Sequence, residues 1–461
     1  MPRRQSIHGQ WSSRMAFILA ATGAAVGLGN VWKFPYMAGA NGGGAFVLVY
    51  LACVLAIGLP IMMAEVLLGR RGRRNPINTM KLLSEEESGR PWWQIVGWSG
   101  VIAGFIILSY YSVIAGWAMD YVFRTASGLF VQVDADTALR EFNNLVSDPV
   151  TLILWHTLFM AITVWVVARG VQQGLESAVR FMMPALFTLL LVMVAYAMTT
   201  GEFLHGIHYM FAPDFRAVEK NTGTVVLMAM GQAFFTLSLG MGGMMAYGAY
   251  LPDNASIAKT SLTVVFADTA VAILAGLAIF PIVFANHLDA TEGPGLIFQT
   301  LPLAFGRMPG GVFFGTLFFV LLVFAAWTSS ISLIEPAVAR MVEHHGMTRH
   351  KAAWTVGIVV WLLGLGTVFS FNVLAGFKPL GLTIFGMFDF VTSDVLLPLG
   401  GLLIAVFAGW VMCKSSTVEE LEVEPGLGYG LWRFLVRFVA PLGVLLVLLN
   451  ATGLLHLFSK A

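Results

Sequence analysis

Eleven predominantly apolar stretches, most of them longer than about 20 residues and separated by short polar loops, leave this chain one medium in which to fold. They run at about 11–38, 42–70, 92–125, 150–168, 174–198, 222–250, 257–286, 310–345, 350–371, 379–411 and 430–457. A helix needs about 20 such residues to cross the hydrocarbon core of a bilayer. With 58% of 461 residues hydrophobic and 11% charged, the apolar load exceeds what a soluble domain buries. The predicted class is an all-α polytopic membrane protein. Eleven crossings put the two termini on opposite sides, and the longest run, 310–345, must tilt or project from the bilayer.

The distribution of charge says more than its sum. A net charge of +1 gives nucleic acid no electrostatic reason to bind. Arg3, Arg4, Arg70, Arg71, Arg73, Arg74, Arg340, Arg349 and Lys351 fall on ends that share one side, whereas Asp134, Asp136, Glu141, Asp148, Asp289 and Glu292 mark the other. The positive-inside rule makes the first side, with the N-terminus, cytoplasmic. The run from Trp11 has no small-residue cleavage pattern after a short core and reads as a retained helix. An energised membrane, the bacterial inner membrane, is the expected home. Cys53 and Cys413 lie within or at the end of separate apolar helices and are read as packing residues, not a disulfide.

Two runs carry glycine where a helix should be continuous. The first contains Gly23, Gly27 and Gly29, and the sixth contains Gly240, Gly242 and Gly243, both near mid-membrane. Each glycine in a helix interior costs about 1 kcal/mol relative to alanine, so such clusters invite unwinding. Unwound backbone at membrane depth persists only where it lines a cavity or is buried in protein. One suspect helix opens the first group of five and the other opens the second. Five is odd, so the two groups run in opposite directions across the membrane. The expected architecture is a 5+5 inverted-repeat transporter fold with helices 1 and 6 broken: 1–200 and 201–415 as the repeats, and 416–461 as an eleventh helix and C-terminus.

The stretch from Trp11 to Pro35, with Asn41-Gly42-Gly43-Gly44-Ala45-Phe46, Gly231 to Gly240 and Trp327-Thr328-Ser329-Ser330, resembles the neurotransmitter:sodium symporter family. The likeness extends through the tenth helix, and the eleven-helix length looks like the shorter bacterial branch. It implies a sodium-coupled symporter, and no enzyme, that imports a small zwitterionic L-amino acid by alternating access.

Sodium is a hard cation that prefers oxygen ligands, and unwound helices expose carbonyl oxygens. Thr328 and Ser329 put adjacent hydroxyls on a helix otherwise rich in Phe, Leu and Val. Such hydroxyls either bond back to a carbonyl one turn earlier or ligate an ion. The resemblance favours ligation and implies two sodium sites. One takes the carbonyls of Gly23, Val26 and Ala325 with the hydroxyls of Thr328 and Ser329; the other takes the Ala25 carbonyl, Asn30, Thr236 and Asp268. Asp268 stands where many family members have asparagine, and an unpaired carboxylate there is costly. The expectation is that Asp268 supplies the negative charge that chloride supplies in animal members, which makes transport chloride-independent.

The resemblance places the substrate's ammonium and carboxylate at the two breaks, near Ala25, Gly29 and Thr236, with the Tyr111 hydroxyl reaching the carboxylate. Ile107, Phe235, Ser238, Met241, Ser329 and Leu333 would line the side-chain pocket. None of them can pair a charged side chain, and methionine adapts its shape readily. A hydrophobic or aromatic amino acid is therefore expected.

For the gates, the resemblance implies that Lys33 and Asp389 face each other outside, above Phe235, with lysine replacing the family's arginine. Inside it implies Trp11, Tyr250 and Glu343. The arginine partner position there is His8, so either Arg3 or Arg4 substitutes or the inner gate is weakened or pH-sensitive. Glu65, Glu335 and Asp394 are further acids at membrane depth, and a proton pathway through one of them is left open. The nearest rival is a carrier of the same general fold that is driven by protons or handles another substrate, such as an amine or osmolyte. A haem protein lacks a facing histidine pair, a hydrolase lacks its motifs, and a channel lacks a repeated filter. The oligomeric state is not legible.

Overall fold

The computed structural model describes residues 4–215, 219, 222–288, 295–424 and 426–451; Arg3, Asp289, Glu292 and His456 lie outside them. The described residues are helical and contain no strand. Among the described residues nine helices are long and apolar enough to cross a bilayer: Gly44–Gly72, Pro91–Ala126, Pro149–Ala168, Val171–Met198, Ile257–Ala285, Gly311–His345, Arg349–Ser370, Ile384–Val411 and Leu427–Asn450. A tenth crossing is the pair Arg14–Ala25 and Gly29–Ala40, bent by 50°. The sixth expected run is divided into Thr222–Thr236 and Gly243–Ala249, each too short to span alone.

Both interruptions fall on the glycine-rich segments. Arg14–Ala25 ends at Val26, whose extended backbone (ψ 109°) turns its carbonyl out of the helix. Asn30 closes the gap by accepting the Gly27 N–H on its Oδ1 at 2.9 Å. In the other break Ser238, Gly240 and Gly242 all take positive φ, of 52°, 78° and 73°. Glycine suits that region; Ser238 is the strained exception. A Cβ at Gly240 would also sit 2.5 Å from the Leu397 carbonyl oxygen. The two breaks touch, since the Ser238 hydroxyl donates to the Ala24 carbonyl at 2.9 Å.

Gly311–His345 packs along Pro91–Ala126 and against Arg14–Ala25, so three elements converge on the breaks, with Ile257–Ala285 closing the other side. At 35 residues, or about 50 Å, Gly311–His345 exceeds the ~30 Å core of a bilayer, as its sequence requires. Short helices at Pro76–Glu87, Ala135–Ser147, Phe203–Phe211 and Lys414–Leu421 were not expected from apolar runs. Local capping specifies two of them. The Asn75 side chain accepts from the Ile77 and Asn78 N–H groups with proline at the first helical position, and Asp134 accepts from Thr137. Both cysteines are free; Cys53 is buried, but Cys413 is exposed beyond its helix and is not a packing residue.

Candidate functional site

The unwound end of Arg14–Ala25 and the hydroxyl pair of Gly311–His345 form one cluster. Ser329 Oγ lies 3.1 Å from the Val26 carbonyl oxygen and 3.4 Å from that of Gly23. Thr328 Oγ1 lies 3.1 Å from the Ala325 carbonyl and 3.5 Å from that of Val26, and it also bonds back to Phe324 at 3.1 Å. Gly23, Val26, Ala325, Thr328 and Ser329 are thus brought together as five oxygen donors from two helices. The hydroxyls donate to these carbonyls, and each also carries lone pairs with which it can accept or ligate once its O–H is rotated.

A second cluster surrounds Asp268, which is fully buried in Ile257–Ala285. Asn30 Nδ2 donates to Asp268 Oδ1 at 2.7 Å, and the Thr236 hydroxyl donates to Oδ2 at 3.1 Å. No cationic side chain pairs with this carboxylate among the described residues. Burying an uncompensated charge is costly, and only neutral groups, the Asn30 amide and the Thr236 hydroxyl, donate to it. Carboxylate, hydroxyl and amide oxygens are the ligand types a hard cation such as sodium prefers.

Between the clusters lies a narrow cavity lined by Ala25, Gly27, Gly29, Ile107, Tyr111, Phe235, Ser238, Met241, Ser329 and Leu333. Its volume of about 20 Å³ for the centre of a water molecule admits about one water, so the walls are drawn in. The Tyr111 hydroxyl accepts the Leu28 N–H at 3.2 Å at the first break. Gly27 was unassigned in the sequence, yet a Cβ there would fall 2.4 Å from Ser329 Oγ and 2.7 Å from the Tyr111 hydroxyl. Gln232 was also unassigned. Its Nε2 donates to the Gly29 carbonyl at 2.7 Å and ties the two broken helices together. Its position one turn before Thr236 on a buried face was the available signal.

The outer gate departs from expectation. No ion pair joins Lys33 to Asp389; the Lys33 ammonium instead sits 4.2 Å above the Phe235 ring. An ammonium makes no bidentate fork with a carboxylate, and the aromatic face offers it a closer partner. Asp389 accepts from Ser393 at 2.8 Å. Asp394 is half-buried within the electrostatic reach of both Asp389 and Lys33.

The inner side is more heavily bonded. The Trp11 indole donates to the Tyr247 carbonyl at 3.2 Å, and the Trp11 N–H donates to Tyr250 at 3.0 Å. The Tyr250 hydroxyl donates to Glu335 at 2.8 Å. Arg349 grips Glu335 with both ends of its guanidinium, Nη1 to Oε1 at 3.0 Å and Nη2 to Oε2. Glu335 is therefore part of a closed network. Glu343 takes His8 Nε2 at 3.0 Å and the Asn75 and Asn78 side chains at 2.5 and 2.8 Å. Arg4 does not substitute there, because it pairs with Glu86 and the Arg71 carbonyl. Glu65 accepts the Gly240 N–H at 2.6 Å and holds the second break.

The model of the sodium:neurotransmitter symporter family matches residues 8–132 and 137–456. An uncharacterized sodium-dependent transporter, YhdH, of Bacillus subtilis (strain 168) is 39% identical over 449 residues, covering 97% of this chain and 98% of that one. A sodium-dependent transporter of Haemophilus influenzae is 32% identical, covering 95% and 97%. The crystal structure of MhsT in complex with L-phenylalanine superposes with a TM-score of 0.88 at 41% identity, covering 96% of this chain and 99% of that one. The all-helical inverted-repeat transporter fold with helices 1 and 6 broken is shared with it. The chain belongs to the sodium:neurotransmitter symporter family, and is accordingly a sodium-dependent symporter of a membrane and not an enzyme.

Proposed function

We propose that this symporter imports a hydrophobic or aromatic zwitterionic L-amino acid together with two sodium ions, without chloride. The observation that carries the reading is the cavity between the breaks, where Ile107, Phe235, Met241 and Leu333 give a mainly apolar wall and no charged side chain takes part. Backbone N–H groups at the start of Gly29–Ala40, with the Tyr111 hydroxyl, suit the carboxylate. Unwound carbonyls suit the ammonium. The complex of MhsT with L-phenylalanine supports an aromatic substrate.

Gly23, Val26, Ala325, Thr328 and Ser329 hold one sodium. The Ala25 carbonyl, Asn30, Thr236 and Asp268 hold the other, whose shell the substrate carboxylate completes. Sharing that ion makes sodium and substrate binding mutually favourable, a reciprocal coupling. The carboxylate of Asp268 neutralises its ion directly, so no external anion is required. Relatives named as chloride-dependent are more distant, the bovine taurine transporter being 25% identical.

Transport proceeds by alternating access in the inner membrane of a bacterium, with the N-terminus cytoplasmic and repeats at 1–200 and 201–415. Sodium and substrate enter past Lys33, Phe235 and Asp389. The network of Trp11, Tyr250 and Glu343 opens to release them. Only a difference in ligand affinity between the two states drives the cycle.

The test is uptake by purified protein in liposomes with an imposed sodium gradient and a panel of labelled amino acids. Leucine, phenylalanine or tryptophan should accumulate, and replacing chloride by gluconate should change nothing. Preference for glycine or taurine removes the pocket argument, and collapse in gluconate removes the role of Asp268.

A further inference from the structure

We infer that a cavity at the start of the last membrane helix is a binding site for the phosphate headgroup of an anionic phospholipid. The cavity, of about 510 Å³, opens beside Leu427–Asn450 and is bordered by Lys414, Tyr429, Arg433 and Arg437. It falls within the size range of small-ligand sites, ~300–1,000 Å³. All three of its charged borders are cationic, and no carboxylate lines it among the described residues. Of the acids that precede this helix, Glu420 bonds Arg70 at 2.5 Å and Glu422 stands 3.8 Å from the same guanidinium, while Glu424, two residues before Gly426, is not among the lining side chains.

Arg437 carries the argument. Its guanidinium lies 4.4 Å over the Trp410 ring, and the Trp410 indole donates to the Arg437 carbonyl at 3.0 Å, so ring and arginine fix each other. Its Nε is buried without a hydrogen-bond partner, and no described residue accepts from the fork. A buried donor left unmade is expensive, and a planar fork of this kind matches a phosphate bidentately. Arg433 lies one turn earlier, an i,i+4 pair of like charges that is destabilising unless an anion bridges it. It is steered into place by donating to the Tyr429 hydroxyl at 2.6 Å and Thr417 at 3.1 Å.

The surroundings distinguish a lipid from a free anion. Trp410, Phe434 and Phe438 beside the cavity are each about half exposed, at 52%, 53% and 49%. An exposed tryptophan such as Trp410 belongs to the boundary between headgroups and acyl chains, and the exposed phenylalanines beside it offer apolar surface to an acyl chain. The sidedness agrees. Lys414–Leu421 is tied to the Arg70–Arg74 run, with Arg71 donating to Ser416 at 3.2 Å, so the cavity opens on the arginine-rich face. Anionic lipid is drawn to basic pockets between membrane helices on that face.

The test uses full-length protein, purified and stripped of lipid in detergent, titrated with phosphatidylglycerol, phosphatidylcholine or inorganic phosphate and read by native mass spectrometry. Phosphatidylglycerol should bind at least tenfold more tightly than phosphatidylcholine or inorganic phosphate. Arg437→Gln should lower its affinity about tenfold, and Arg437→Lys, which keeps the charge but loses the fork and its seat on Trp410, should lower it about threefold to fivefold. Lys414→Gln, on an exposed side chain, should give a smaller loss, about threefold, and the distant Arg140→Gln should give none. Equal binding of the two lipids overturns the inference, as does phosphate binding as tightly as phosphatidylglycerol, which marks a free-anion site. An Arg140→Gln loss matching that of Arg437→Gln overturns it too, by reducing the effect to bulk charge.

Discussion

Asn30 and Asp268, 238 residues apart, meet at 2.7 Å through Asn30 Nδ2 and Asp268 Oδ1 in a fully buried setting. Asn30 performs a second task, since its own Oδ1 accepts the Gly27 N–H that closes the first helix break. A single side chain therefore links the carboxylate to the shape of the unwound segment. Asp268→Asn keeps the size of the side chain and removes its charge. With it, half-saturating sodium should rise about tenfold or more, a loss of about 1.4 kcal/mol in ion binding. Sodium titration of uptake measures this, and an unchanged titration would falsify the assignment of Asp268 as ligand.

Ser329 and Thr328 act on the other cluster. Ser329→Ala removes an oxygen facing both Val26 and Gly23, whereas Thr328→Ser keeps its oxygen. The alanine variant should weaken sodium activation about tenfold, and the serine variant only slightly. Because the alanine methyl still fills the site, the folding midpoint should move little. A drop in stability with intact sodium activation would assign both hydroxyls to helix packing.

The fold was legible because burial in a bilayer is dictated by long apolar runs, and the breaks were legible because glycine clusters there have no helical use. Thr328, Ser329, Asn30, Thr236 and Asp268 were reachable only with the family resemblance, since hydroxyls that bond back to their own helix look the same in sequence. The gates were less legible because their bonds join distant segments. His8 and Glu343 lie 335 positions apart. Arg349 reads as a cytoplasmic charge until its fork is seen on Glu335. Lys33 was expected at Asp389, but a single ammonium is free to choose the Phe235 face.

Gly27 is the tightest point of the cavity. Alanine there would place its Cβ within 2.4 Å of Ser329 Oγ and 2.7 Å of the Tyr111 hydroxyl, in space that both groups need for ligands. Gly27→Ala should abolish uptake at normal membrane abundance. Gly231→Ala serves as the control, because a Cβ at Gly231 meets nothing within 4 Å. It should transport at near wild-type rates. Comparable loss in both would mean that helix flexibility, not space at the site, is what glycine supplies.

Arg349 and Glu335 define the stability of the inner face. Glu335 is fully buried and receives both ends of the Arg349 guanidinium together with the Tyr250 hydroxyl. Truncating the arginine alone leaves a buried carboxylate with only the tyrosine as donor. Arg349→Ala should therefore cost about 3–5 kcal/mol, the range found when one partner of a buried pair is removed. Glu335→Gln combined with Arg349→Gln removes both charges at similar volume and should cost markedly less. The two variants also separate gating from folding. If the network holds the inner side shut, the double variant should remain folded yet label faster at a cysteine placed at Ser332, whose hydroxyl bonds to Ser329 below the gate at 2.8 Å. Labelling at the wild-type rate in a stable double variant would mean that Trp11 and the His8 to Glu343 bond close the inner side without help from Glu335.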